Sequence, residues 1–585
     1  MCGIVGVIGG NNIVTDLLAG LEKLEYRGYD SAGIATVHNG EFYRVRSVGK
    51  LKNLAEKLQQ IQTPGNIGIG HTRWATHGKP TEPNAHPMMT KDIVLVHNGI
   101  IENYKVLKFS LQKDGYVFES ETDTEVAVQF MQRELDNGAT PREAFRKLLQ
   151  TVEGAYAFAA IFKSQPDMIF VAKLKSPLTV GFGSHMSIGS DVSSIADRSS
   201  EVVYLNDYEY AEISLRNAVF FDKNFKVINK EKIPVSEDML NSGKGNYEHF
   251  MLKEIMEQPN AIRKTIIHNQ INDNLLDGVS NILILACGTS YHAGLVAKYW
   301  FEKYLKIHTD VEVASEFRYR EPVISDGTLV IAITQSGETI DTLEAVEYVR
   351  KNSNSKVVAI TNVKKSAISR ISDETLYTEA GVEVGVASTK AFTAQLILLS
   401  RIAFLRNKFL EQQAQDLPLI CETVLELSPQ LLEIAKKIQD ANEVIFLGRD
   451  ILYPIALEGS LKLKETSYIP SEGFAAGEMK HGPIALIDDS VPVICLCPYN
   501  DIFDKMMSNL QVAHARGKNI IVFTDKKGSQ FVPDDVEKII MPEMTSEYAP
   551  IAYVIPLQLL AYYVAIARGT DVDKPRNLAK SVTVE

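Results

Sequence analysis

The second residue of the chain is a cysteine, in the run MCGIVGVIGG. Once the initiator methionine is removed, Cys2 carries a thiol and a free α-amino group on one residue. Reference pKa values of about 8.5 for a thiol and about 7.7–8.0 for an α-amine let the amine act as the thiol's base near neutral pH. Nucleophile and base then sit on a single residue, which ties the position to the terminus. Chain ends fray unless held. Here Ile4, Val5, Val7 and Ile8 spell a buried strand that would hold this one. The plainer alternative is a small buried cysteine that starts a strand.

Two runs farther along suggest a different chemistry. ACGTSYHAG (286–294) and TQSGETIDT (334–342) each follow an apolar strand-like run and open a helical pattern. Both offer glycine, hydroxyls and backbone N–H groups at a helix start, which is an anion site. Gln335, Ser336 and Thr339 add neutral donors. Such runs also serve as ordinary helix caps. Neither is a GxxxxGK[ST] loop or a GxGxxG fingerprint, so nucleotide binding is not favoured. In ALEGSLKLKETSYI, Glu458, Lys462 and Glu465 share one helical face at ion-pair spacing.

The elements that must position these residues fall into two halves. Residues 1 to about 235 are strand-rich: IVLVHNG, AYAFAAIF and MIFVAKL read as strands, and DTEVAVQFMQRELDN as a helix. IPVSEDMLNSGKGNYEHF breaks the pattern as a linker, and MLKEIMEQPNAIRKTIIHN reads as a helix entering the second half. That half repeats. Strand-like runs begin at Ile282, Val330 and Val357, and partners begin at Ile445, Val493 and Ile520, all three at one constant offset. Strands alternating with long helical patterns argue βαβ units in a doubly wound sheet, here in two copies.

Composition narrows the class. A chain of 585 residues needs several cores, and 45% hydrophobic with 23% charged residues is ordinary globular protein. A net charge of −12 argues against a nucleic-acid binder. No unbroken apolar run of membrane-spanning length and no signal-peptide pattern is found, so a cytoplasmic protein without a membrane partner is expected. None of the five cysteines forms a CxxC pair, which suggests neither a disulfide framework nor a metal site.

Taken together, MCGIVG, LEYRGYDSAGIA (24–35), GHTRWATHG (70–78), HNGIIENY (97–104) and SETDTEV (120–126) resemble the glutamine amidotransferases with an amino-terminal nucleophile. The resemblance implies that Cys2 attacks the glutamine amide, forms a glutamyl thioester and releases ammonia. It places Asn98 and the backbone N–H of Gly99 in an oxyanion hole. Arg73 would hold the glutamine α-carboxylate and Asp123 the α-ammonium. Trp74, Thr76 and His77 would line the closing loop, and Arg27 would help organise the site.

The two hydroxyl-rich loops resemble the sugar isomerase (SIS) domain, here in tandem. With ASEFRYREP, GVEVGVASTKAFTAQ, ALEGSLKLKETSYI, AAGEMKHGP and KPRNLAKSVTVE, nearly the whole chain resembles the family of isomerising glutamine–fructose-6-phosphate aminotransferases. That implies an α+β amino-terminal-nucleophile glutaminase domain (1–235), a linker and entry helix (236–275), two α/β doubly wound SIS domains (276–430 and 431–575) and an active-site tail (576–585). The implied reaction takes L-glutamine and fructose 6-phosphate to glucosamine 6-phosphate and glutamate. Ammonia would be channelled internally, no cofactor would be needed, and the product would open hexosamine (UDP-N-acetylglucosamine) synthesis.

The same resemblance puts the sugar phosphate on Ser290, Gln335, Ser336 and Thr339, with Thr289, Glu383, Val386, Ser388 and Lys462 around the sugar. Glu465 would shuttle a proton between C1 and C2, and His481 would open the ring from a neighbouring subunit, which implies at least a homodimer. Lys580 would form a Schiff base with C2. Thr334 stands where the family commonly has serine, and Pro470 where some relatives have histidine. An amidotransferase or deglycase for another sugar phosphate, and a sugar-phosphate sensor with Cys2 as a relic, are the competing readings. The joint presence of Cys2, Asn98, Glu465, His481 and Lys580 argues against a sensor, which needs only the phosphate loops.

Overall fold

The structure is a computed structural model that describes residues 2–10, 12–25, 28–235 and 244–582. It divides into two compact units, Met1–Ser242 together with Ala579–Glu585, and Gly243–Leu578.

The first unit is built on an eight-stranded and a seven-stranded sheet, and its named strand pairs are antiparallel. Strand alternation makes three layers of core from these two sheets. In strand Gly3–Ile8, Val5 and Val7 face Leu17 and Leu21 of helix Ile13–Glu22, while Ile4 and Ile8 face the second sheet. In Gly154–Phe162, Ala157, Ala159 and Ile161 return that contact, and Tyr156, Phe158 and Phe162 face helices Asp123–Asp136 and Pro141–Thr151. Two stacked sheets with helices outside are the result. The strands and the helix expected in this half form as expected.

The second unit holds two five-stranded sheets, parallel throughout. The first has the order His308–Val313, Asn281–Ala286, Thr328–Ile333, Lys356–Thr361, Glu374–Tyr377, and the second repeats that order from Ser471–Ala475 to Glu537–Met541. The edge strands keep the spacing of the central ones: His308 to Ser471 and Glu374 to Glu537 are the same step as Ile282 to Ile445. Each sheet has its own outer core, and one large cluster is shared by both repeats.

Two expectations are corrected. The entry helix is two helices, Phe250–Met256 and Gln258–His268, because Pro259 cannot continue the first and suits the first turn of the second. A helix long and apolar enough to cross a membrane is present at 546–567, although no such run was expected, because Pro550, Pro556 and Gln558 interrupt its apolar run. Its most apolar stretch is 89% buried inside the shared core, between helices Tyr453–Ser467 and Ser428–Ile438.

Two candidate active sites

In the first unit, strand register gathers the expected residues. Gly3 lies opposite Thr72, so Cys2 comes beside Arg73 at one end of the first sheet. Asn98, on strand Ile93–Ile101 of the other sheet, donates from Nδ2 to the Cys2 carbonyl at 3.0 Å, so the two sheets meet at the nucleophile. The half-buried Cys2 Sγ accepts the Trp74 N–H at 3.3 Å and lies 3.5 Å from the Trp74 carbonyl. Burial pushes the thiol above its ordinary value, while the chain-terminal ammonium, the Trp74 N–H and Arg73 pull it down. Gly99 has φ +129°, and a Cβ there would lie 2.0 Å from the Ala155 carbonyl, so only glycine fits.

The clamps are equally well held. Arg73, 3% exposed, donates to the carbonyls of His77, Gly78 and Lys79, which folds the 74–79 loop over the guanidinium. Asp30 Oδ2 accepts the Ala75 N–H at 2.9 Å and fixes that loop's base. Trp74 meets the Tyr29 ring edge-on and His77 the Tyr104 ring, while Thr76 is exposed. Asp123 starts its helix, with Thr122 as the cap, and accepts the Ile101 N–H at 2.8 Å. Arg27 lies outside the described residues.

Beneath these groups lies a layer the sequence did not reveal: His71, His86 and His97, each at most 4% exposed. His71 stacks on His86 at 4.3 Å, and the Thr124 hydroxyl bridges His86 Nε2 at 2.8 Å and His97 Nδ1 at 3.0 Å. Burial lowers all three, His71 to about 3, so they are neutral at pH 7.

In the second unit, the turns after strands Asn281–Ala286 and Thr328–Ile333 stand side by side at the carboxyl ends of neighbouring parallel strands. The helices that follow, Gly288–Trp300 and Ile340–Asn352, cover opposite faces of the sheet, so a crevice opens between the turns where an α/β fold binds ligand. Gln335, Ser336 and Thr339 lie on the second turn, and Ser290 lies in the first turn of helix Gly288–Trp300. Ser290 Oγ accepts from the buried Gln395 at 3.1 Å, and Thr334 and Thr339 pair their hydroxyls at 2.8 Å. The family's serine would keep the Thr334 hydroxyl.

A chain of polar side chains crosses from the first repeat to the second. Lys462 Nζ, 1% exposed, donates to Glu465 Oε2 at 2.6 Å and to the Thr289 hydroxyl at 3.0 Å. Thr289 in turn donates to Glu458 Oε1 at 3.1 Å, and Glu458 Oε2 lies 2.7 Å from His292 Nδ1. Burial alone would lower the Lys462 ammonium, but Glu465 and Glu458 outweigh it and raise it above its ordinary value. Lys462 is therefore a fixed cation that balances two carboxylates. Glu458, wholly buried, was read from sequence only as an ion-pair partner; its spacing to Lys462 was the visible signal.

Glu383 joins this group electrostatically. Its carboxylate accepts the Thr389 and Ala391 N–H groups at the start of helix Lys390–Ala403 and the Ser388 hydroxyl. The Val386 N–H is engaged by the Asp573 carbonyl at 3.1 Å. One expected residue is not brought into this group. His481 is exposed at the end of a short turn, Glu478–His481, with no hydrogen-bond partner among the described residues. Lys580 groups with the first unit.

Known proteins sort the two units in the same way. A family model described as a glutamine amidotransferase domain matches residues 71–196, and one described as the SIS domain matches 275–404 and 437–568. The chain is 45% identical to the isomerizing glutamine–fructose-6-phosphate aminotransferase of Bartonella henselae and 46% identical to that of Bradyrhizobium diazoefficiens, over the full length of both partners in each case. The solved carboxy-terminal domain of glucosamine-fructose-6-phosphate aminotransferase from Francisella tularensis matches 57% of this chain and all of that one, at 42% identity and a TM-score of 0.55. Identity of this extent over whole chains, on these two kinds of domain, makes the protein a member of the isomerising glutamine–fructose-6-phosphate aminotransferase family.

Proposed function

We propose that the protein moves the amide nitrogen of L-glutamine to C2 of D-fructose 6-phosphate, giving D-glucosamine 6-phosphate and L-glutamate. The whole-length likeness to aminotransferases of that name carries the reading. The chemistry divides between the two sites. At the first, the Cys2 thiolate attacks the amide carbon, with its proton passed to the α-amine of the processed terminus. Asn98 Nδ2 and the Gly99 N–H stabilise the tetrahedral oxyanion, which collapses to a thioester as ammonia leaves with that proton. Water then hydrolyses the thioester to glutamate and restores Cys2. Arg73 and Asp123 hold the two charged ends of glutamine, and Trp74, Thr76, His77 and Arg27 shape the loop around it.

At the second site, Ser290, Gln335, Ser336 and Thr339 hold the phosphate in the crevice of the first repeat. His481, from a neighbouring copy in a homodimer, assists ring opening. Lys580 forms an imine with the C2 carbonyl and expels water; ammonia from the first site displaces the lysine and leaves its nitrogen on C2. Glu465 takes the C1 proton and returns it to C2 while the C1 hydroxyl proton passes to the nitrogen, which turns the ketose imine into an aldose amine. Lys462, held charged by Glu458 and Glu465, keeps Glu465 oriented, and Glu383, Val386 and Ser388 line the sugar.

The test uses amide-15N glutamine and fructose 6-phosphate with the mature protein and Cys2→Ala. Labelled glucosamine 6-phosphate from the first and none from the second is expected. Glutamate without amino sugar would overturn the assigned acceptor.

A further inference from the structure

His71 reaches no substrate in the proposed chemistry, yet its ring touches the group assigned to the oxyanion. His71 Nε2 lies 2.9 Å from the His97 carbonyl and 3.1 Å from Asn98 Oδ1. A backbone carbonyl can only accept, so Nε2 carries the ring's proton. Nδ1 is bare, buried and without a partner among the described residues. With Nε2–H facing both oxygens, the Asn98 amide has one consistent orientation. Oδ1 takes the His71 proton, and Nδ2 points to the Cys2 carbonyl at 3.0 Å with its second N–H left over. A reversed amide would set Oδ1 against the Cys2 carbonyl oxygen and N–H against N–H.

We infer that His71 is a positioning residue that locks the Asn98 side-chain amide with its N–H groups toward the Cys2 end of the site. The inference rests on the assignment of Asn98 to the oxyanion hole. The surroundings keep the ring neutral and still. It is wholly buried, stacked on His86 at 4.3 Å, and burial holds its pKa near 3, so no second proton arrives to change which nitrogen donates. The charges of Arg73 and His97 push the same way, and together with burial they outweigh the hydrogen bonds to the His97 carbonyl and Asn98 that favour the charged ring. A preorganised donor avoids reorientation when charge develops on the substrate oxygen, which is where an oxyanion hole gains its effect.

The test is a double-mutant cycle on glutamate release by the whole chain, with His71→Leu, Asn98→Ala and the pair, together with His71→Gln and His71→Asn. Removing one oxyanion donor costs about 100- to 1,000-fold in kcat, so a misdirected donor in His71→Leu should cost about 10- to 100-fold, with KM for glutamine held within about threefold. The pair should be no slower than Asn98→Ala alone. His71→Gln, whose amide nitrogen falls near the place of Nε2, should recover most of the loss, and His71→Asn should not. Alkylation of Cys2 by iodoacetamide, which needs no oxyanion hole, should keep its rate. If His71→Leu does not fold, the Gln and Asn variants make the same distinction. A full independent loss when His71→Leu is added to Asn98→Ala, or a loss confined to KM, would overturn the inference. An unimpaired Asn98→Ala would instead remove the oxyanion assignment itself.

Discussion

The two repeats of the second unit share one topology but carry different side chains at equivalent positions. In the first, the turn 334–339 is Thr-Gln-Ser-Gly-Glu-Thr; at the equivalent positions of the second stand Cys497, Pro498, Tyr499, Asn500, Asp501 and Ile502. Thr289 and Ser290 are likewise answered by Leu452 and Tyr453. In place of the hydroxyls, Tyr499 presents a ring that packs on Phe503 and stacks on Phe531, with Lys527 3.9 Å above it. On the helices the contrast reverses. Glu458, Lys462 and Glu465 of the second repeat correspond to Leu295, Tyr299 and Glu302 of the first. One copy carries the turn proposed to hold phosphate and the other the carboxylate–lysine face proposed to move the proton, and the shared core brings the two helices together.

The sharpest way to break this contrast is to remove the cation. Lys462→Met leaves Glu458 buried without a countercharge, and losing one partner of such a pair costs about 3–5 kcal/mol. Denaturant unfolding should show that loss together with abolished amino-sugar formation. Tyr299→Phe, the matching change in the first repeat, should stay within about 0.5 kcal/mol.

The first unit extends the comparison, because it buries neutral histidines where the second buries ions. An unfolded histidine takes its proton near pH 6.5, and folded His71 takes none until about pH 3. Between those values the unfolded state binds more protons, so this contribution is absent above pH 6.5 and lowers stability as pH falls. His71 should remove about 1.4 kcal/mol per pH unit in that window, and the lowered His86 and His97 act in the same direction. Melting followed from pH 7 to pH 4 should show the decline, and His71→Leu should flatten it.

Smaller effects test the crevices. Gly337 has φ +68°, and a Cβ there would lie 2.1 Å from Ser366 Oγ. Gly337→Ala should cost about 1–3 kcal/mol and raise KM for the sugar phosphate. Asn500→Ala, at the matching position, should leave that KM unchanged. Ser336→Ala should raise KM about tenfold through one lost charge-assisted hydrogen bond to phosphate, and Tyr499→Phe should change neither KM nor stability.

The duplicated fold was legible because three strands in each repeat are buried on both faces and so read as unbroken apolar runs. The edge strands HTDVEV, SEGFA, ETLY and EKIIM are partly exposed and carry polar residues, so only their register against the central strands exposes the same spacing. At the glutaminase site, Cys2, Arg73, Asn98 and Asp123 stood out through motifs, whereas His71, His86 and His97 did not. A histidine on an apolar strand looks alike in sequence whether it fills a core or orients an amide. The Glu458–Thr289–Lys462 chain was hidden for another reason: Thr289 lies a whole repeat away from the other two in sequence, and they meet only when the two repeats pack.

That crossing chain also bears on how the second unit melts. Glu458 belongs to one repeat, while two of its three polar partners, Thr289 and His292, belong to the other. If the first repeat opened by itself, a carboxylate in the remaining folded half would lose those partners. A half-open state would also expose the apolar core that both repeats share, so a single unfolding transition of the second unit is the expected outcome.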